Sequence, residues 1–124
     1  MDNSGGANGL FFSKEGDLFA CQGVSQRVTS FYLEDGGEKE LLADQYDGRP
    51  FNKPNDLWIH PNNGVFFSDP NYGRKELSQD GEHLYFITPY RDQVIRVDNT
   101  LKRPNGVVGT PDGNTLYVLS LIHI

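Results

Sequence analysis

Short apolar runs recur along the chain, each closed off by polar or turn-forming residues. Val, Ile, Leu, Phe and Tyr gather in stretches of four to seven bounded by Gly, Pro, Asn and Asp, the pattern of strands joined by tight turns. Apolar spacing at i, i+3, i+4 and i+7 is not sustained anywhere, and the Gly and Pro punctuation leaves no window long enough for a helix. The predicted class is therefore all-β.

The runs also repeat. Asn8-Gly-Leu-Phe-Phe-Ser-Lys-Glu-Gly-Asp-Leu-Phe-Ala, Asn55-Asp-Leu-Trp-Ile-His-Pro-Asn-Asn-Gly-Val-Phe-Phe-Ser and Asn105-Gly-Val-Val-Gly-Thr-Pro-Asp-Gly-Asn-Thr-Leu-Tyr-Val follow one plan. Each has an Asn, a short apolar strand, a Gly-bearing turn and a second strand. Asn55 stands 47 residues after Asn8, and Asn105 a further 50 on. Two more β-rich runs follow at similar places, Arg27 to Leu33 and Lys39 to Leu42 in the first unit, His83 to Thr88 and Gln93 to Val97 in the second. Four antiparallel strands at this period predict β-propeller blades, which bury their apolar faces only by stacking on neighbours. A β-sandwich is the rival arrangement. The boundaries predicted are one blade over 8–46, a second over 55–99 and the start of a third over 105–118. A propeller closes with roughly four to eight blades, so the chain is expected to be a section of a longer protein. Leu119 to Ile124 run on without a turn residue and resemble the translated end of a sequencing adapter; they are expected not to be native.

Composition narrows the functions. Among 124 residues, 11 Lys and Arg face 17 Asp and Glu, a net charge of −6. With no basic cluster beyond the pairs Arg74-Lys75 and Lys102-Arg103, nucleic acid and anionic membrane surfaces are not expected partners. The single cysteine, Cys21, excludes an internal disulfide and a thiolate zinc site. No apolar stretch is long enough to span a bilayer, and the first residues lack a signal-peptide pattern. The compartment stays open between cytoplasm and periplasm or exterior.

A residue recurring once per blade lies at one radius and height about the axis, so Asn8, Asn55 and Asn105 are candidates for a ring at one mouth of the channel. Amide oxygens without sulfur or histidine suit a hard cation such as Ca²⁺. The plainer alternative is that Asn suits the turn entering each strand.

Asp47-Gly-Arg-Pro-Phe-Asn-Lys-Pro-Asn-Asp-Leu, Phe67-Ser-Asp-Pro-Asn-Tyr-Gly and Arg103-Pro-Asn-Gly-Val, with Pro111-Asp-Gly-Asn-Thr-Leu-Tyr-Val, resemble the gluconolactonase branch of the senescence marker protein/gluconolactonase family from about Ser4 to Val118. The resemblance implies a six-bladed propeller. It also implies hydrolysis of a sugar lactone by an axial divalent ion, usually Ca²⁺, held by one Glu, two Asn and one Asp. Asn55 and Asn105 match the Asn positions; the Glu and the Asp, the latter also the expected catalytic carboxylate, have no counterpart in this chain. Arg49 and Asn52 fall where the family binds the sugar hydroxyls or lactone oxygen. Asp69 and Tyr72 are further substrate-binding candidates, and Asp56 is expected to support the site from behind. His60 and His83 are expected to be structural, as is Cys21, and His123 lies in the doubtful tail. The aromatic residues, Trp58 and Phe67 among them, are expected to pack between blades. A non-catalytic binding propeller with a structural Asn ring is the alternative. This chain by itself is expected to be poorly soluble and inactive.

Overall fold

A computed structural model describes residues 4–72 and 76–120, and every element in it is a strand. The first sheet is an antiparallel meander of β1 (Ala7–Phe12), β2 (Leu18–Gln22), β3 (Arg27–Phe31) and β4 (Glu38–Ala43). The second repeats it with β7 (Leu57–Ile59), β8 (Val65–Asp69), β9 (His83–Ile87) and β10 (Val94–Asp98). Between them lies a small hairpin of β5 (Gln45–Tyr46) and β6 (Arg49–Pro50), and a final hairpin pairs β11 (Pro104–Gly109) with β12 (Leu116–Ser120). The strand runs and the two and a half units read from the sequence are thus present. No helix among the described residues is long and apolar enough to cross a membrane.

The β5–β6 hairpin was not foreseen. Its turn is Asp47-Gly48, with φ of 54° and 81°, the positive pair that a two-residue turn matching the strand twist requires. The strands on either side are only two residues long and carry no alternation, so no hydrophobic pattern announced them. At the other end, Ser120 pairs with Pro104, so β12 takes in the first two residues of the segment set apart as a tail. Residues 121–124, His123 included, lie outside the described residues.

Stacking provides the core. Phe19, Cys21, Val28 and Leu42 of the first sheet meet Leu57, Val65, Phe67, Tyr85 and Ile87 of the second, all buried. Phe51, just after β6, is fully buried among them. Its ring lies edge-on to Phe67 at 4.9 Å and 5.2 Å from Tyr85. Burying such a side chain contributes roughly 1.5–3 kcal/mol, and Phe51 ties the inter-sheet segment to both sheets. A second cluster, Trp58, Leu84 and Val107, joins the second sheet to β11.

Candidate active-site mouth

The repeated asparagines sit at the start of the innermost strands, each on a local irregularity of the same kind. In β1, Asn8 and Gly9 fall between the pairs Ala7↔Gln22 and Leu10↔Ala20, two residues opposite one. In β11, Asn105 and Gly106 fall between Pro104↔Ser120 and Val107↔Val118 in the same way. Ahead of β7, the Asn55 amide donates to the Ser68 carbonyl at 3.0 Å and the Ser68 amide to the Asp56 carbonyl at 3.0 Å, again two residues on one. A bulge of this type twists the strand and redirects the side chain it carries. Each repeated Asn thus stands on a bulge, and none of the three has a positive φ, so the backbone there does not by itself call for Asn.

The three inner strands are bonded to one another at these bulges. The Gly9 amide donates to the Asn55 carbonyl at 2.6 Å. The Val107 amide donates to Asp56 Oδ2 at 2.9 Å, and the Ser68 hydroxyl donates to the Asn105 carbonyl at 2.6 Å. Asp56 thus braces the approach of β7 to β11, a direct structural bond.

Asn55 and Asn105 are both half-buried. Asn105 Nδ2 donates to the Tyr72 hydroxyl at 3.1 Å, which brings two of the sequence candidates together. Among the described residues no protein group bonds Asn105 Oδ1 or the Asn55 side-chain amide. Two amide oxygens without protein donors fit the requirement of a hard cation for oxygen ligands, while no group of three or more His, Cys, Asp or Glu among the described residues forms a complete metal cage.

Asn52 and Asp69 are bound into the backbone around the mouth. Both are fully buried. Asp69 accepts the Asn52 amide at Oδ2 and the Lys53 amide at Oδ1, each at 2.8 Å. Asn52 Oδ1 accepts the Ser78 and Gln79 amides at 2.8 and 3.0 Å, and its Nδ2 donates to the Asp69 and Gly81 carbonyls at 3.2 and 2.9 Å. These bonds hold the segment that delivers Asn55 to the loop after β8 that delivers Tyr72. Arg49 lies exposed on the β5–β6 hairpin, its side chain without a hydrogen bond or ion pair among the described residues.

His60 and His83 are engaged by protein groups. His60 Nε2 bonds the Gly113 carbonyl at 3.1 Å and Nδ1 accepts the Asn62 amide at 3.0 Å, so both ring nitrogens serve turns. His83 Nε2 pairs with Asp80 at 2.8 Å, and Arg96 reaches the same carboxylate at 3.0 Å. The His83 bond first, then Arg96, holds the Asp80 carboxyl below its ordinary value. Burial, aided by the charges of Asp56 and Asp69, pushes the Cys21 thiol well up, the opposite of an activated nucleophile.

Two residues escaped the sequence reading. Ser68 lay inside a quoted motif but without a role. Gln79, buried, donates through Nε2 to the carbonyls of Tyr46, Arg49 and Pro50 at 3.1, 2.8 and 3.0 Å and holds the small hairpin in place. Nothing in the sequence marked it, since its partners are backbone carbonyls far away along the chain.

Stacked four-stranded meanders whose first strands lie side by side define a section of a β-propeller. The chain belongs to the family described as the SMP-30/Gluconolactonase/LRE-like region, whose sequence model matches residues 1–120. It is 27% identical over 118 residues to a gluconolactonase of Zymomonas mobilis, covering 91% of this chain and 33% of that protein. A lactonohydrolase of Aspergillus oryzae is 33% identical over 87 residues, covering 66% of this chain and 20% of its own length. Among solved structures, a gluconolactonase from Xanthomonas campestris superposes with a TM-score of 0.84 at 27% identity, over 92% of this chain and 40% of that one. Virginiamycin B lyase from Staphylococcus aureus, at 18% identity and a TM-score of 0.66 over 96% of this chain and 36% of that one, shares the fold. The chain therefore spans about a third of the length of the gluconolactonase it matches.

Proposed function

We propose that this chain carries inner blades of a divalent-metal-dependent lactonase acting on gluconolactone-like sugar lactones, with the remaining blades outside it. The observation that carries the reading is the pair of half-buried amides, Asn55 and Asn105, set by bulges at the same end of adjacent inner strands, with Tyr72 bonded to Asn105. Membership of the family and likeness to gluconolactonases support the reaction class.

Asn55 and Asn105 would hold the ion, Ca²⁺ or another hard divalent cation, through their amide oxygens. Polarisation of the lactone carbonyl and stabilisation of the developing oxyanion are what such an ion supplies when bound. Two amides fall short of the six to eight oxygens Ca²⁺ takes, so carboxylate ligands come from other blades. Tyr72, already bonded to Asn105, presents a hydroxyl to the ring hydroxyls of the sugar. Arg49, exposed on the β5–β6 hairpin, would bind the substrate's oxygens. Asn52 and Asp69 act by holding the Asn55 and Tyr72 segments rather than by touching the lactone. No residue of this chain is assigned the proton-transfer step, which needs a carboxylate at the mouth.

The test is lactone hydrolysis by the complete protein, followed by acid release at constant pH. Chelation is expected to abolish turnover and added Ca²⁺ to restore it. Asn55→Ala and Asn105→Ala should each lower kcat/KM by roughly a hundredfold. Full activity in excess chelator, or in both variants, overturns the reading.

A further inference from the structure

We propose that Ser68 is a positioning residue of this mouth: its hydroxyl is the bolt that fixes the spacing between Asn55 on one blade and Asn105 on the next. The inference rests on the lactonase reading above and names how the two amides are kept in register.

Ser68 is fully buried at the inner end of β8 and bonds in four directions. Its backbone accepts the Asn55 amide and donates to the Asp56 carbonyl, both at 3.0 Å. Its hydroxyl accepts the Asp56 amide at 3.2 Å, which spends a lone pair inside its own blade. The hydroxyl proton then goes to the Asn105 carbonyl at 2.6 Å, across the gap between blades. Asp56 closes the arrangement from the other side by accepting the Val107 amide. The segment Asn105 to Val107 is thus held at both ends by two residues of the second blade that are bonded to each other, at the bulge that aims the Asn105 side chain.

The chemistry selects Ser at this place. A hydroxyl can accept and donate at once, which the bond from Asp56 and the bond to Asn105 both require. In the first sheet the residue opposite the bulge is Cys21, and in the final hairpin it is Leu119. Leu119 can make neither bond and Cys21 offers only a weak donor and a weak acceptor, so the full clasp is particular to the junction that carries both candidate ligands. An ion held by two amides from different blades depends on their separation, and partners that orient metal ligands typically govern 10–100-fold in affinity.

The experiment uses the complete protein, with calcium alone as probe. Ser68→Ala removes the hydroxyl, Ser68→Cys keeps the size with a weaker donor and stays informative if the alanine variant does not fold, and Ser68→Thr keeps the hydroxyl. Calorimetric titration is expected to show Ca²⁺ affinity about tenfold weaker or more in the Ala and Cys variants, with Thr restoring it. The accompanying fall in kcat should be relieved by raising Ca²⁺, while KM for the lactone stays near its original value. Amide exchange at Asn105 to Val107 should quicken in the same variants. Ala and Cys variants that fold and bind Ca²⁺ like the parent overturn the proposal. A parent that neither binds Ca²⁺ nor hydrolyses lactone overturns the functional reading and this inference with it; faster exchange in the variants would then still report the clasp, and so identify the reading as the part that failed.

Discussion

The first sheet carries large apolar side chains on both faces, yet only one face is covered. Phe19, Cys21 and Val28 are buried against the second sheet, whereas Leu10 and Phe12 are 54% and 57% exposed on the other side. The final hairpin shows the same division: Val107 is buried against Trp58, while Val108 and Tyr117, paired with each other, are exposed. The second sheet, flanked on both sides, buries Leu84, Tyr85 and Ile87 together. The presence of a neighbour thus governs the burial of equivalent residues on the inner strands. A blade sequence is written for stacking, and its stability belongs to the interface more than to the sheet.

That contrast can be broken by substitution. The largest effect is expected at the covered face, where Phe67→Ala should cost about 3–5 kcal/mol; the chemically identical Phe12→Ala should stay within about 0.5 kcal/mol in this chain. Denaturant melts decide between them, and similar costs would refute the comparison. In the complete protein, where we place a further blade on that face, the Phe12 cost should rise toward that of Phe67.

The next effect concerns the bulges. A Cβ on Gly9 would fall on the Asn55 carbonyl oxygen and lie 2.5 Å from Asp56 Cα, while one on Gly106 would find nothing nearer than Leu119 Cβ at 3.6 Å. Gly9→Ala should cost about 1–3 kcal/mol, and Gly106→Ala within about 0.5 kcal/mol. Equal melting temperatures for the two variants would show that the inner strands do not approach as described.

Smaller in stability but visible in association, Leu10→Lys combined with Tyr117→Glu should keep this chain monomeric in sedimentation, whereas the parent is expected to associate through its open apolar faces; equal sedimentation of the two would refute this. The smallest expected effect lies on the rim. The Asp80 carboxyl is held below its ordinary value by His83 and then Arg96, so its contribution is complete above the ordinary carboxylate value and is lost as pH falls through the lowered one. Asp80→Asn should remove that acid sensitivity below about pH 4 and leave neutral stability almost unchanged, because the carboxylate is largely exposed. A steeper acid melt in the variant would contradict the assignment.

Much of the architecture was legible because the blade writes itself as an Asn, an apolar strand, a Gly turn and a second strand. The β5–β6 hairpin was not, since pairs such as Gln45-Tyr46 are too short to alternate. The motifs marked out Asn55, Asn105 and Tyr72, two of which the structure brings into contact. Asp56 was expected to support the site, but the work of Ser68 was hidden, because the Asn105 carbonyl becomes its partner only once two blades are stacked. Asn52 and Asp69 were marked out by the same motifs, but only their burial and backbone bonds reveal that they brace the loops.

Cys21 turns this stacking into something a reagent can time. Its thiol is enclosed at the junction of the two sheets and kept protonated by burial beside two carboxylates, so alkylation must wait for the sheets to part. The rate at which a maleimide or disulfide reagent consumes this lone thiol is then a clock for the opening of one blade from the next. It reads that event in the native protein, without denaturant and without an added label.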